Sequence, residues 1–147
     1  MDKIIWVVLA FVAGAFLPLQ AAMNGKLAKA GGSPYFASMI SFAVGVLALV
    51  IYILMTSQTV SLKELRAAPS YAWAGGILGA FYVTVIVLAF PKIGPALTFG
   101  LVVAGQLLLS MLMEHFQIMG AQSQPMSIGR IAGILLVLAG VAMMKNF

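Results

Sequence analysis

ALTFGLVVAGQLLLSMLMEHF, residues 96–116, is 21 residues long, and its ionisable side chains, Glu114 and His115, sit in its last turn. A helix rises 1.5 Å per residue, so this length covers about 31 Å, the thickness of the hydrocarbon core of a bilayer. On either side of it, four more stretches of the same kind occupy about residues 4–24, 35–55, 70–90 and 128–144. The chain is 63% hydrophobic and 7% charged, with a mean hydropathy of +1.13. Soluble domains carry roughly 25% charged residues. The expected architecture is an all-α integral membrane protein, with residues 1–147 forming one domain of five transmembrane helices.

The connections follow from the breakers between the spans. Lys26, Lys29 and Gly31-Gly32-Ser33-Pro34 read as a polar loop, with Pro34 suited to the first turn of the second span. Thr56 to Pro69 carries Lys63, Glu64 and Arg66 and has room for a short surface helix. Pro91-Lys92-Ile93-Gly94-Pro95 reads as a tight reversal, making spans three and four antiparallel neighbours. The last loop runs from Gln117 to Ser127 and includes Gly120 and Pro125. Trp6, Tyr35, Tyr52, Tyr71 and Trp73 lie near span ends, as an aromatic belt requires, whereas Tyr82 lies mid-span. The first stretch, behind Asp2 and Lys3, has the outline of a secretory signal peptide. Four more spans follow it, so a retained helix is expected.

A net charge of +5 would raise the question of nucleic acid in a soluble protein. Here the basic residues stand singly at span ends without interleaved aromatics, so they read as anchors that snorkel toward headgroups, and no nucleic-acid partner is expected. The chain has no cysteine, which excludes disulfides, thiolate metal sites and cysteine nucleophiles. It also lacks paired acids, histidine clusters, metal-ligand spacings and a phosphate loop, so neither an enzyme nor a metal or cofactor site is expected. The cations themselves carry a second message. Lys3, Lys63, Arg66 and Arg130 fall on one face of the membrane and Lys26, Lys29, Lys92 and Lys145 on the other, four against four. An excess of Lys and Arg normally fixes the cytoplasmic face. An odd number of spans without that excess points to insertion in both orientations, and the two orientations can then pair.

Polar groups inside a bilayer cost several kcal/mol unless paired or hydrated, so they mark packing seams or cavities. In span four, Gln106, Ser110, Met113, Glu114 and Gln117 share one helical face, at spacings of 4, 3, 1 and 3. Gln106 lies near mid-bilayer, either as a cavity wall or as an interhelical hydrogen bond worth roughly 0.6 to 2 kcal/mol. Glu114 and His115 are a candidate proton-coupling pair; the simpler alternative is a structural contact from Glu114 to Arg130, which opens span five on the same side. In span one, Gln20 and Asn24 share a face just after Pro18, which frees the carbonyl of Gly14 one turn earlier. Ser38, Ser41 and Gly45 form a small-residue stripe in span two that favours close packing. Gly75 and Gly79 in span three, and Gly129 and Gly133 in span five, allow backbones to approach in the same way. Tyr82, at mid-depth with a hydroxyl to satisfy, is a cavity residue.

The ordered set Pro18-x-Gln20-x-x-x-Asn24, Ser41-Phe42-x-x-Gly45, Gly105-Gln106, Glu114-His115-Phe116 and Arg130-x-x-Gly133 resembles the YdcZ-type family of the drug/metabolite transporter (DMT) superfamily. The resemblance spans essentially the whole chain. It implies a bacterial inner-membrane transport protein of five helices, half the size of ten-helix superfamily members. It also implies relatives that occur as dual-topology single genes, as oppositely oriented pairs or as fused forms.

Together these readings predict a secondary transporter that works as an antiparallel, dual-topology homodimer, the second copy supplying the inverted repeat that alternating access uses. Gln20, Asn24, Tyr82 and Gln106 would line the cavity with Ser38 and Ser41 nearby, and Glu114 and His115 would be the coupling candidates. The partners are then a small organic substrate, neutral or weakly charged, the lipid bilayer, and an inverted copy or close paralogue. A passive channel and a non-transporting assembly subunit are the alternatives.

Overall fold

A computed structural model describes residues 2–146. The elements are α1 (Asp2–Gly31), α2 (Pro34–Met55), α3 (Leu62–Arg66), a 3-10 turn Ser70–Ala74 running into α4 (Gly75–Ile93), α5 (Pro95–Phe116), a 3-10 turn Ile118–Gly120, and α6 (Ile128–Asn146). Among the described residues, five helical segments are long and apolar enough to cross a membrane: Lys3–Gly31, Pro34–Met55, Ser70–Ile93, Pro95–Phe116 and Ile128–Lys145. Apolar side chains face outward along all of them. Trp6 is 70% exposed and Tyr35 68% exposed, as residues of an interfacial belt should be.

The loop expected around Lys26 and Lys29 is helix instead. Leu27, Ala28 and Ala30 are strong helix formers, and nothing breaks the hydrogen-bond ladder until Gly31-Gly32. Gly32 has φ +70°, a conformation that glycine adopts without steric cost. Ser33 then caps α2, its hydroxyl accepting from the Phe36 N–H at 3.3 Å, with Pro34 in the first helical turn. The reversal expected over residues 91–95 is also shorter. Pro91 and Lys92 belong to α4, and Gly94, at φ +80°, is the single residue between α4 and α5. The surface helix expected between Thr56 and Pro69 is α3, capped by Ser61, which accepts from the Glu64 N–H at 3.4 Å.

Two compact units divide the chain, one ending at Lys92 and one beginning at Ile93. In the first, α1 and α2 pack as a hairpin around Ala21, Ala37 and Ser38, and Ile86 and Val87 of α4 are buried. The Phe42 ring lies 3.4 Å from where a Cβ on Gly79 would be, so the glycine there admits an aromatic side chain. In the second, α5 packs against α6 with Thr98, Ala104, Met111 and Val141 buried. A Cβ on Gly100 would lie 2.9 Å from Met144 Cε and 3.0 Å from Val141 Cγ2. The other small-residue stripes are open. A Cβ added at Gly45, Gly75, Gly129, Gly133 or Gly140 would meet nothing within 4 Å.

Candidate functional site

Three of the polar residues singled out along the spans meet in the first unit. Gln20 and Asn24 from α1 and Tyr82 from α4 line one small cavity, closed by Leu17, Ala21, Val83, Ile86 and Val87. The i, i+4 spacing of Gln20 and Asn24 puts both on the same side of α1, and burial rises along that side. Gln20 is exposed, while Asn24 is only 3% exposed. The Asn24 Nδ2 and Tyr82 Oη atoms are buried and make no hydrogen bond within the protein. The cavity measures about 10 Å³, at the lower limit for one water molecule. A buried polar group without a partner costs about 1–3 kcal/mol. With one such atom from α1 and one from α4, the cavity is a polar seam between the two helices.

The serines play a different part. Ser38 is 3% exposed and its hydroxyl donates to the Pro34 carbonyl at 3.1 Å, one turn earlier in its own helix. Thr98 does the same in α5, donating to the Gly94 carbonyl at 2.7 Å. Such back-bonding satisfies the hydroxyl locally and lets the residue pack as a small apolar group. Ser41 is half-buried.

In the second unit, Gln106 sits halfway along α5 and is exposed, one turn before Ser110 on the same face. The end of the same helix holds a polar cluster. Arg130 Nη2 pairs with Glu114 Oε2, and Arg130 Nη1 donates to the Gln124 carbonyl at 3.1 Å. Met126 N–H donates to His115 Nδ1 at 3.4 Å, and Gln124 N–H donates to the Glu114 carbonyl at 3.3 Å. The His115 ring meets Phe116 edge-on, with centroids 4.8 Å apart. The contact between Glu114 and Arg130 is thus part of a clamp that folds residues 117–127 back onto the end of α5. Gln117 and Met119, at φ 53° and 55°, make the turn that this requires.

One feature was invisible along the sequence. Between the C-terminal halves of α1 and α4 lies a pocket of about 520 Å³, within the usual range for small-molecule sites. Ala22, Gly25, Ala28, Val87, Leu88, Phe90 and Pro91 give it apolar walls, Pro34 adds the start of α2, and Lys26, Lys29 and Lys92 line it as well. As single residues at span ends the lysines read as anchors. The available signal was the spacing of residues 22, 25, 26 and 29, which places small and basic residues on one face of a helix.

Among the described residues, no group of three or more His, Cys, Asp or Glu is placed to hold a metal ion. A family model described as "Putative inner membrane exporter, YdcZ" matches residues 5–143 of the chain. Searches of curated proteins and of solved structures gave no match.

Proposed function

The chain belongs to the YdcZ family of inner membrane exporters, and on that basis we propose that it moves a small organic substrate by alternating access as an antiparallel dimer. Its class is that of a multi-pass inner membrane transporter in the drug/metabolite transporter superfamily. The dimer, the mechanism and the substrate-facing residues are our reading.

The observation that carries the reading is the exposed amide of Gln106 at the midpoint of an apolar helix. Facing hydrocarbon, such a group loses its hydrogen bonds at a cost on the order of several kcal/mol. A second copy covers it. The open glycine faces at Gly129 and Gly133 support the same conclusion, because small residues let helices approach where lipid offers no hydrophobic drive for association. An inverted copy would also supply the structural repeat that one five-helix chain lacks.

In this reading Gln20, Asn24 and Tyr82 of each copy, with Gln106, form the substrate-facing surface, and Ser38 and Ser41 form the wall behind it. The seam is too narrow for an organic substrate while closed. Opening on one side would expose the unpaired Asn24 amide and Tyr82 hydroxyl to the substrate. Closing would return them to the seam, and the exchange of open and closed forms between two identical copies gives alternating access. Glu114, held by Arg130, acts as a clamp; a coupling role for Glu114 and His115 would require that clamp to open.

The absence of cysteine makes the test direct. Gln106→Cys introduces one thiol, and in an inverted pair two copies of a mid-depth residue lie at the same level. Oxidation in native membranes should give a disulfide-linked dimer at position 106 and none for a cysteine placed at Tyr35. A thiol added at either terminus should be labelled by an impermeant reagent from both sides. Labelling from one side alone would rule out the antiparallel pair.

A further inference from the structure

We propose that the pocket between α1 and α4 is a binding site for an anionic phospholipid, with the headgroup held by Lys26, Lys29 and Lys92 and the first methylenes of an acyl chain against Val87 and Leu88. The proposal concerns a site within one copy, so it stands or falls independently of the dimer.

Three observations lead to it. The first is charge. Three cations line one pocket, no carboxylate lines it, and among the described residues the ion pair formed is between Arg130 and Glu114. Following the chain from span to span, Asp2, Glu64 and Glu114 all fall on the opposite membrane face from these lysines. Lys29 and Lys92 lie in the last turns of α1 and α4, where helix dipoles favour a cation. That effect is worth only fractions of a kcal/mol at exposed ends, so it leaves most of the positive potential for a ligand.

The second observation is depth. Counting from Ile4, about 20 helical residues cross the hydrocarbon core, which ends near Met23. Lys26 and Lys29 then lie roughly 4 and 9 Å further out, at the level of lipid phosphates. The apolar wall, Val87 and Leu88, points back toward the core. A ligand that fits has its negative charge at headgroup depth and its apolar part below, which is how a phospholipid already sits in the leaflet. Basic pockets between transmembrane helices recognise anionic headgroups in this way.

The third is room. A Cβ placed on Gly25 would meet nothing within 4 Å, so the pocket reaches the α1 backbone. That opening gives a variant which fills the site without touching the lysines.

The test is native mass spectrometry of the purified chain with short-chain phosphatidylglycerol, with phosphatidylcholine of identical chains, and with glycerol phosphate. Phosphatidylglycerol should be retained saturably, at least tenfold over phosphatidylcholine. K26Q/K29Q/K92Q should reduce its retention to the phosphatidylcholine level, while Lys145→Gln should leave it unchanged. Gly25→Leu should lower retention at least threefold with all lysines in place, so a triple variant that misfolds does not leave the question open. Equal retention of the two lipids, or unchanged retention in both the triple variant and Gly25→Leu, would overturn the site. Displacement of phosphatidylglycerol by glycerol phosphate at similar concentration would show that the ligand is a free anion and overturn the lipid assignment.

Discussion

Asn24 and Tyr82 each bury a polar atom that the fold leaves unpaired, and the physics of that arrangement makes opposite predictions for stability and transport. Tyr82→Phe removes a hydroxyl that makes no hydrogen bond, so thermal unfolding in detergent should be unchanged or raised by about 0.5–1 kcal/mol equivalent. Asn24→Leu should behave similarly if the cavity accepts the side chain. Both should abolish substrate flux in liposomes. Unchanged flux at normal expression would remove the pair from the substrate surface. The clamp at the end of α5 is the contrasting case, because its polar groups are mutually satisfied. Its side chains are about one-third exposed, so screening limits the ion pair to about 1 kcal/mol. Glu114→Gln and Arg130→Gln should each lose about that much, and the double variant should lose little more than either alone. Additive losses in a double-mutant cycle would mean that the two residues act separately.

The helices themselves were largely legible in the sequence, because a span is set by length and hydropathy and the bilayer leaves few other choices. The end of α1 was not. A lysine beside alanines reads alike in a loop and in a last helical turn, and only the run Gly31-Gly32-Ser33 marks the stop. Beyond the neighbours expected from the short connection at residues 91–95, which helix packs on which was also hidden, since hydropathy does not choose partners among apolar helices. Gln20 and Asn24 could be placed on one face by spacing, but the approach of Tyr82 needed the packed structure. The glycines divide on the same ground. At Gly100 an added methyl would press on Val141, whose branched side chain is stiff. At Gly133 it would meet open space. Helix propensity favours alanine by up to about 1 kcal/mol at either position, whereas overpacking costs about 1–3 kcal/mol. Gly100→Ala should therefore destabilise the fold by about 1 kcal/mol in thermal unfolding. Gly133→Ala should hold or raise stability, while the bulkier Gly133→Leu lowers the yield of the position-106 cross-link.

For the whole molecule, the tie of four cations against four is the quantity to perturb. Adding lysines at Ser57 and Gln58 makes the count six against four and should commit that face to the cytoplasm. Labelling of a terminal thiol should become one-sided and the position-106 cross-link should vanish. Co-expression with a copy biased the other way, through Ala30→Lys and Ile93→Lys, should restore the cross-link. A cross-link that survives in the singly biased protein would mean that the pair is parallel.

The clamp on Arg130 has a last consequence, for the choice of membrane. From Arg130 to Lys145 is 15 residues, a rise of roughly 22 Å, well short of the roughly 30 Å of an average hydrocarbon core. A free arginine would bridge the difference by extending toward the headgroups, but the guanidinium is tied to Glu114 and to the Gln124 carbonyl. Extending the arginine means first breaking those contacts, at about 1 kcal/mol for the ion pair, so part of the mismatch falls on the lipid as local thinning, and it grows with each methylene added to the acyl chains. In liposomes of increasing chain length the protein should therefore lose function at the thick end first, and Arg130→Lys, with a looser and more mobile cation, should extend the range.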